Sequence, residues 1–155
     1  MNTLTVPAVR VRQRGVSLIE VLVTFVILAV GILGLAGLQA RALSYGQSAL
    51  YRSQATALVD DVLDRMRANR TVAVANGYLT ALSATSASIV VSGTGGTAQA
   101  LTDMKDWKAQ VESSLPTGKA SILRSADGVA LEITIQWDDS RGREAAQTMV
   151  TRSTI

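Results

Sequence analysis

Apolar and polar positions change their pattern several times along the chain, and each change predicts an element. From Val21 to Leu38 every side chain is apolar or glycine except Thr24, a run of 18 residues without a charge. As a helix this run is about 27 Å long, nearly the thickness of a bilayer's hydrocarbon core. Beyond Leu38 the uniform run gives way to a stripe, with Tyr51, Ala55, Leu58, Val62 and Met66 on one helical face. No proline interrupts Val16 to Asn69, and Arg65, Arg67 and Arg70 stand where cations oppose the carbonyl end of a helix. The pattern predicts a single helix from about Ser17 to Asn69, membrane-embedded in its first half and packed on a soluble domain in its second.

Residues 77–100 are uncharged and dense in Ser, Thr, Ala and Gly, which predicts a loop region with one short strand at Ser88 to Ser92. Gly93, Gly95 and Gly96 do not make a phosphate loop, because no Gly-Lys-Ser/Thr follows them. Leu101, Met104, Trp107, Val111 and Leu115 mark a second amphipathic helix, capped by Thr102 or Asp103 and stopped by Pro116 and Gly118. Trp107 shares that stripe and reads as core. Then Ala120 to Arg124 and the alternating Val129 to Trp137 flank Asp127-Gly128, a hairpin signal. After the polar stretch Asp138 to Arg143, Ala145 to Ser153 supplies a third strand. The fold class is α+β: a long N-terminal helix packed on a small antiparallel sheet, with one extra helix.

Charge sharpens the first element. The chain has 15 basic and 12 acidic residues, and Arg10, Arg12 and Arg14 precede the apolar run with no acidic residue among them. Without residues 1–15 the remainder is formally neutral, so the basic isoelectric point belongs to the leader and gives no support for nucleic-acid binding. Arginines before an apolar span keep the N-terminus cytoplasmic while the rest is exported. No cysteine is present, so a hydrophobic core rather than disulfides must hold the exported part.

The junction between leader and span is unusual. A secretory signal cut after Ala42, at Ala40-Arg41-Ala42, would need a shorter apolar stretch. A plain anchor leaves Glu20 unexplained, because a carboxylate next to an apolar span is costly when drawn into lipid. One local explanation is a capping box between Ser17 and Glu20. The other is a resemblance. Arg14-Gly15-Val16-Ser17-Leu18-Ile19-Glu20, followed by the apolar run, resembles the class III signal of type IV pilins and pseudopilins. The resemblance implies that a prepilin peptidase cuts between Gly15 and Val16 and methylates the new amine on Val16. The family commonly has phenylalanine where Val16 stands. Glu20 would meet the N-terminal amine of a neighbouring subunit, an arrangement with physical sense because buried charges are tolerable only when paired. Gly31, Gly34 and Gly37 would serve close helix packing or a stretch able to unwind inside a filament.

The resemblance extends through Asp60-Asp61-Val62-Leu63, Arg67-x-Asn69-Arg70, the Trp107 helix, Leu115-Pro116-x-Gly118 and Ile133-Thr134-Ile135-Gln136-Trp137, which are similar to the minor pilins of the pilus-modification group (PilV). It implies a leader over 1–15, a filament-core half of the helix over 16–38, an amphipathic half over 39–70 and a head over 71–155 with 77–100 as its variable loop. It further implies a minor pilin of a priming or tip complex. Its partners would be the prepilin peptidase, other minor and major pilins, the inner-membrane assembly platform and a tip adhesin. The location would be inner membrane, then pilus and cell surface. Two alternatives stay open: a minor pseudopilin of a type II secretion system, and a membrane-anchored binding module that never polymerises.

Catalysis finds little support. Without His or Cys, the usual nucleophilic triads and zinc ligand sets are excluded, and no cofactor is expected. Asp60, Asp61 and Asp64, or Asp138 and Asp139, read as solvated acidic positions rather than a calcium site. Helical spacing of Asp60, Asp64 and Arg67 suggests a surface charge arrangement.

Overall fold

The computed structural model describes residues 15, 17–89 and 97–155. Arg10, Arg12, Arg14, Val16 and the glycines of 93–96 lie outside the described residues, as does the end of the strand expected over Ser88 to Ser92. The elements are α1 (Leu18–Ala68), α2 (Arg70–Val74), α3 (Ala98–Ser114), β1 (Lys119–Arg124), β2 (Leu131–Trp137) and β3 (Gln147–Ser153). They fall into two compact units, one ending at Leu43 and the other covering Ser44–Ile155. The long helix, the extra helix and the antiparallel sheet are those the sequence predicts.

In the first unit α1 is exposed at every position from Leu18 to Leu43, and it is long and apolar enough to cross a membrane. Its one polar side chain within the run, Thr24, donates its hydroxyl to the Val21 carbonyl at 2.7 Å. The helix therefore offers lipid no unmet polar group there.

In the second unit the stripe on α1 buries Ala55, Leu58, Val59, Val62, Leu63 and Met66. Trp107 of α3 is fully buried against it, and its indole N–H donates to the Leu58 carbonyl at 2.8 Å. The aromatic body thus joins the core while its polar tip is satisfied by the helix it packs on. The α3 helix begins a turn earlier than the stripe suggests. Thr97, in extended conformation, is the N-cap and accepts from the Ala100 amide. Neither expected cap serves: Thr102 donates back to the Ala98 carbonyl, and Asp103 is drawn inward to accept from Tyr78.

The sheet runs in the order β1-β2-β3, all antiparallel. Leu131, Ile133, Ile135 and Trp137 of β2 point inward in strict alternation, joined by Ala120 and Ile122 of β1. Their sheet neighbours on the outer face include Leu123, Glu132 and Arg152, which lie opposite one another, with Arg152 and Glu132 paired at 2.8 Å. Val129 does not start the second strand. Ser125 and Ala130 close the connection through main-chain and hydroxyl bonds at 2.9 and 3.1 Å, and Gly128 takes the left-handed conformation inside it.

The segment after α1 differs from expectation. Tyr78, Thr80 and Ile89 are buried, and Thr80 exchanges backbone hydrogen bonds with Ile122 at 2.9 and 3.0 Å, covering the outer edge of β1 at one point. No strand forms over Ser88 and Ile89. Burying the Tyr78 ring draws the first part of this loop into the core.

Gly118 follows α3 where the chain reverses, one residue after Thr117 in the left-handed region. A Cβ at Gly118 would overlap the Val111 carbonyl oxygen and approach Leu115 Cβ to 3.1 Å. Gly118→Ala should therefore cost about 1–3 kcal/mol of stability. Urea unfolding of the chain in detergent, followed by the fluorescence of its two buried tryptophans, should show a lower midpoint with an unchanged slope.

Candidate functional site

Gly15, ahead of the apolar helix, is exposed, and among the described residues nothing lies within 4 Å of the place where a Cβ would stand. Ser17 caps α1 through its main chain: its carbonyl accepts the Glu20 amide at 3.0 Å and the Val21 amide at 3.3 Å. The capping box anticipated from Ser17 and Glu20 is not formed. Glu20 lies in the first turn, exposed, where its negative charge meets the positive end of the helix dipole. Among the described residues its carboxylate has neither a hydrogen bond nor an ion pair. Gly31, Gly34 and Gly37 all lie within continuous α-helix, and a Cβ added to any of them would meet no atom within 4 Å. Val16, the residue across the expected cut, lies outside the described residues.

The second unit, Ser44–Ile155, called the head from here on, carries its charges differently. Asp61 and Asp64 pair with Arg65 and Arg67 at 2.9 and 2.8 Å along α1, so the arrangement expected around Asp60, Asp64 and Arg67 is made by Asp64 and Arg67. Asp138 accepts from the Ser140 hydroxyl at 2.7 Å, and from the amides of Ser140 and Gly142 at 2.9 and 2.6 Å, and these bonds hold its carboxyl below the usual range. Asp139 accepts from Ser48 of α1 at 2.7 Å. These carboxylates are occupied in organising a loop.

Two buried groups escaped the sequence reading. The Tyr78 hydroxyl donates to Asp103 at 2.7 Å and accepts from Asn69 at 3.2 Å, while Gln99 donates to the other Asp103 oxygen at 2.8 Å. Burial, and then the bond to Asp103, push the Tyr78 hydroxyl up to about 12. Lys108 is buried on α3, and its ammonium donates to the carbonyls of Ala81 and Ala84 at 2.8 and 2.5 Å. Desolvation pulls it down to about 8, against the opposing influence of Glu112. Glu112 in turn accepts from the Ser86 amide and hydroxyl at 2.8 and 2.6 Å. Lysine and glutamate together clasp the loop over α3, beside a cleft of about 200 Å³ that also reaches Thr117 and Lys119. A signal was present: Lys108 stands four after Met104 and three before Val111, on the apolar stripe itself.

Residues 10–36 match the family model of the prokaryotic N-terminal methylation motif, and residues 37–108 match that of the type IV pilin Tt1218. The two stretches abut, and together they run from residue 10, ahead of the apolar run, into α3. Among curated proteins and solved structures nothing matches.

The two buried groups give the head opposite responses to alkali. Lys108 has a folded value of about 8 against 10.5 unburied, so its contribution to stability is complete above pH 10.5 and is lost as pH falls through 8. Tyr78 has a folded value of about 12 against 10.0, so its contribution is complete below pH 10 and is lost as pH rises towards 12. The urea midpoint should therefore rise between pH 8 and 10 and fall beyond. Lys108→Met should flatten the rise and Tyr78→Phe the fall; a rise of equal size in Lys108→Met would exclude the lysine as its source.

Proposed function

This chain is a type IV pilin-like protein with a class III signal, and from that premise we propose that it works as a minor pilin, a structural subunit of a priming or tip complex and not an enzyme. The observation that carries the reading is Glu20: an exposed carboxylate in the first turn of a helix whose following run is apolar on every side. In a lipid or filament interior such a charge needs an external cation. The amine released by cleavage between Gly15 and Val16, and methylated on Val16, supplies one from a neighbouring subunit. The pairing sets the axial register of adjacent helices, because a slip by one turn leaves two charges buried and unpaired.

The rest of the reading follows from the same need to satisfy polar groups. The prepilin peptidase acts at the cytoplasmic face, where Gly15 offers no side chain to obstruct it. The processed subunit stays in the inner membrane as a single span with its head in the periplasm, and then passes to the assembly platform and to other minor and major pilins. The 16–38 helix packs into the filament core, 39–70 carries residues 71–155, and a tip adhesin is a further partner. The pilus-modification group is the class of minor pilin it is similar to, with roles in adhesion or motility. Gly31, Gly34 and Gly37 give the core half small contact surfaces and a low resistance to unwinding.

Intact mass and N-terminal sequence of the protein from native membranes test the pathway, with a chain starting at methylated Val16 expected. A start at Met1 would leave an anchored module, and a start at Leu43 would remove the apolar helix from the mature protein. Gly15→Ala should slow or block processing without disturbing the helix. Glu20→Ala should insert and be cleaved normally yet be depleted from pili, since breaking a buried pair costs about 3–5 kcal/mol, about a hundredfold or more in an association equilibrium. Unchanged pilus content in that variant would remove the pairing role. Alanine at Gly31, Gly34 and Gly37 meets no clash in the subunit, so insertion and processing should be as in the wild type, with only incorporation reduced.

A further inference from the structure

The short helix α2 ends in two main-chain bonds: the Asn76 amide donates to the Ala73 carbonyl at 3.1 Å and the Gly77 amide to the Val72 carbonyl at 2.8 Å. Asn76 is left-handed, with φ 66°. This is a Schellman closure in which asparagine occupies the seat most often held by glycine. Arg124 of β1 covers the turn. Its Nε and Nη2 donate to Asn76 Oδ1 at 2.8 and 2.6 Å, Nη2 also to the Val74 carbonyl at 3.0 Å, and Nη1 to the Gly128 carbonyl at 3.3 Å.

Asparagine followed by glycine has its own chemistry. The amide nitrogen of the following residue can attack the side-chain carboxamide, and glycine hinders ring closure least because it lacks a Cβ. We propose that Asn76-Gly77 is a succinimide-forming modification site, gated by the Gly77–Val72 bond and the Arg124 clamp. In the reaction Gly77 N loses its proton and bonds to Asn76 Cγ, the Cγ–Nδ2 bond breaks, and Nδ2 leaves as ammonia. Water then opens the ring at either carbonyl, giving aspartate or isoaspartate. No electrons change hands.

The folded turn opposes the first step. The proton that must leave Gly77 is donated to the Val72 carbonyl, and Gly77 is buried, so removing that proton strands a buried acceptor. The carboxamide is fixed from its oxygen side by two guanidinium bonds, while the same guanidinium ties Val74 and Gly128 together around it. Arg124 also polarises the Asn76 carbonyl, an effect that would favour attack. The closed turn outweighs it, because no nucleophile exists while Gly77 N keeps its proton in the bond to Val72, and Arg124 holds that turn shut. Once isoaspartate forms, an extra methylene enters the main chain just before Tyr78 and Thr80. The Tyr78–Asp103 bond and the Thr80–Ile122 bridge then lose their register, so the modification loosens the head.

The test is peptide mapping by mass spectrometry of the full chain in detergent, aged at mildly alkaline pH. A gain of one dalton at Asn76 should accumulate in the folded wild type more slowly than in the urea-unfolded chain, on the order of tenfold or more. Arg124→Gln should accelerate it, and Asn76→Ser should abolish it at this peptide. Equal rates in folded and unfolded wild type would overturn the proposal, as would an unchanged or slower rate in Arg124→Gln. Tryptophan fluorescence reports whether that variant is folded; if it is not, Arg124→Lys, which keeps the charge and loses the fork, carries the comparison and should also react faster than the wild type.

Discussion

The head depends on covering one stripe of α1. Ala55, Leu58, Val62 and Met66 recur on a single face, and a helix with such a face has no stable place in water until something lies over it. Trp107 provides the centre of that cover, because it is both a fully buried tryptophan and a hydrogen-bond donor to the helix beneath it. The inward residues of β1 and β2 complete the same core. The polar contacts of the irregular segments are arranged around it. Tyr78 enters beside it and takes Asp103 and Asn69 as partners, and the loop that follows must then pass over α3, where Lys108 and Glu112 meet it.

Elements with a long or strict period were legible in the sequence. The apolar run and the stripe after it define α1 to within a residue at each end, and the alternation from Leu131 to Trp137 places β2 with its inward face correct. Position-specific contacts were not. The start of α3 was obscured because Thr97 closes a stretch rich in Ser, Thr and Gly, where any of several hydroxyls could serve as cap. Tyr78 is a lone aromatic in a polar segment, and nothing local reveals that a carboxylate 25 positions later will satisfy its hydroxyl. The N-terminal methylation motif matched over residues 10–36 was legible for a different reason: arginines, glycine, carboxylate and apolar length coincide there along the chain, which requires no tertiary contact to read.

A head without cysteine must fasten its irregular segments by other means, and the structure uses long or charged side chains bonded to main chain. Lys108 reaches the carbonyls of Ala81 and Ala84, Glu112 the amide of Ser86, Arg124 the carbonyls of Val74 and Gly128, and Asp138 the amides of Ser140 and Gly142. These charge-assisted bonds fasten main chain at places where a small secreted domain often uses a disulfide. The physical difference lies in the unfolded chain. A disulfide restricts it, whereas these ties exist only when the core has already brought their ends together. They therefore follow the core rather than replace it, and each is reversible: a carbonyl released from Lys108 or Arg124 can be recaptured without any covalent step. The cost of that reversibility is chemical. Segments held by polar ties open more readily than cross-linked ones, and opening at the α2 turn exposes a dipeptide, Asn76-Gly77, at which a transient fluctuation can become permanent.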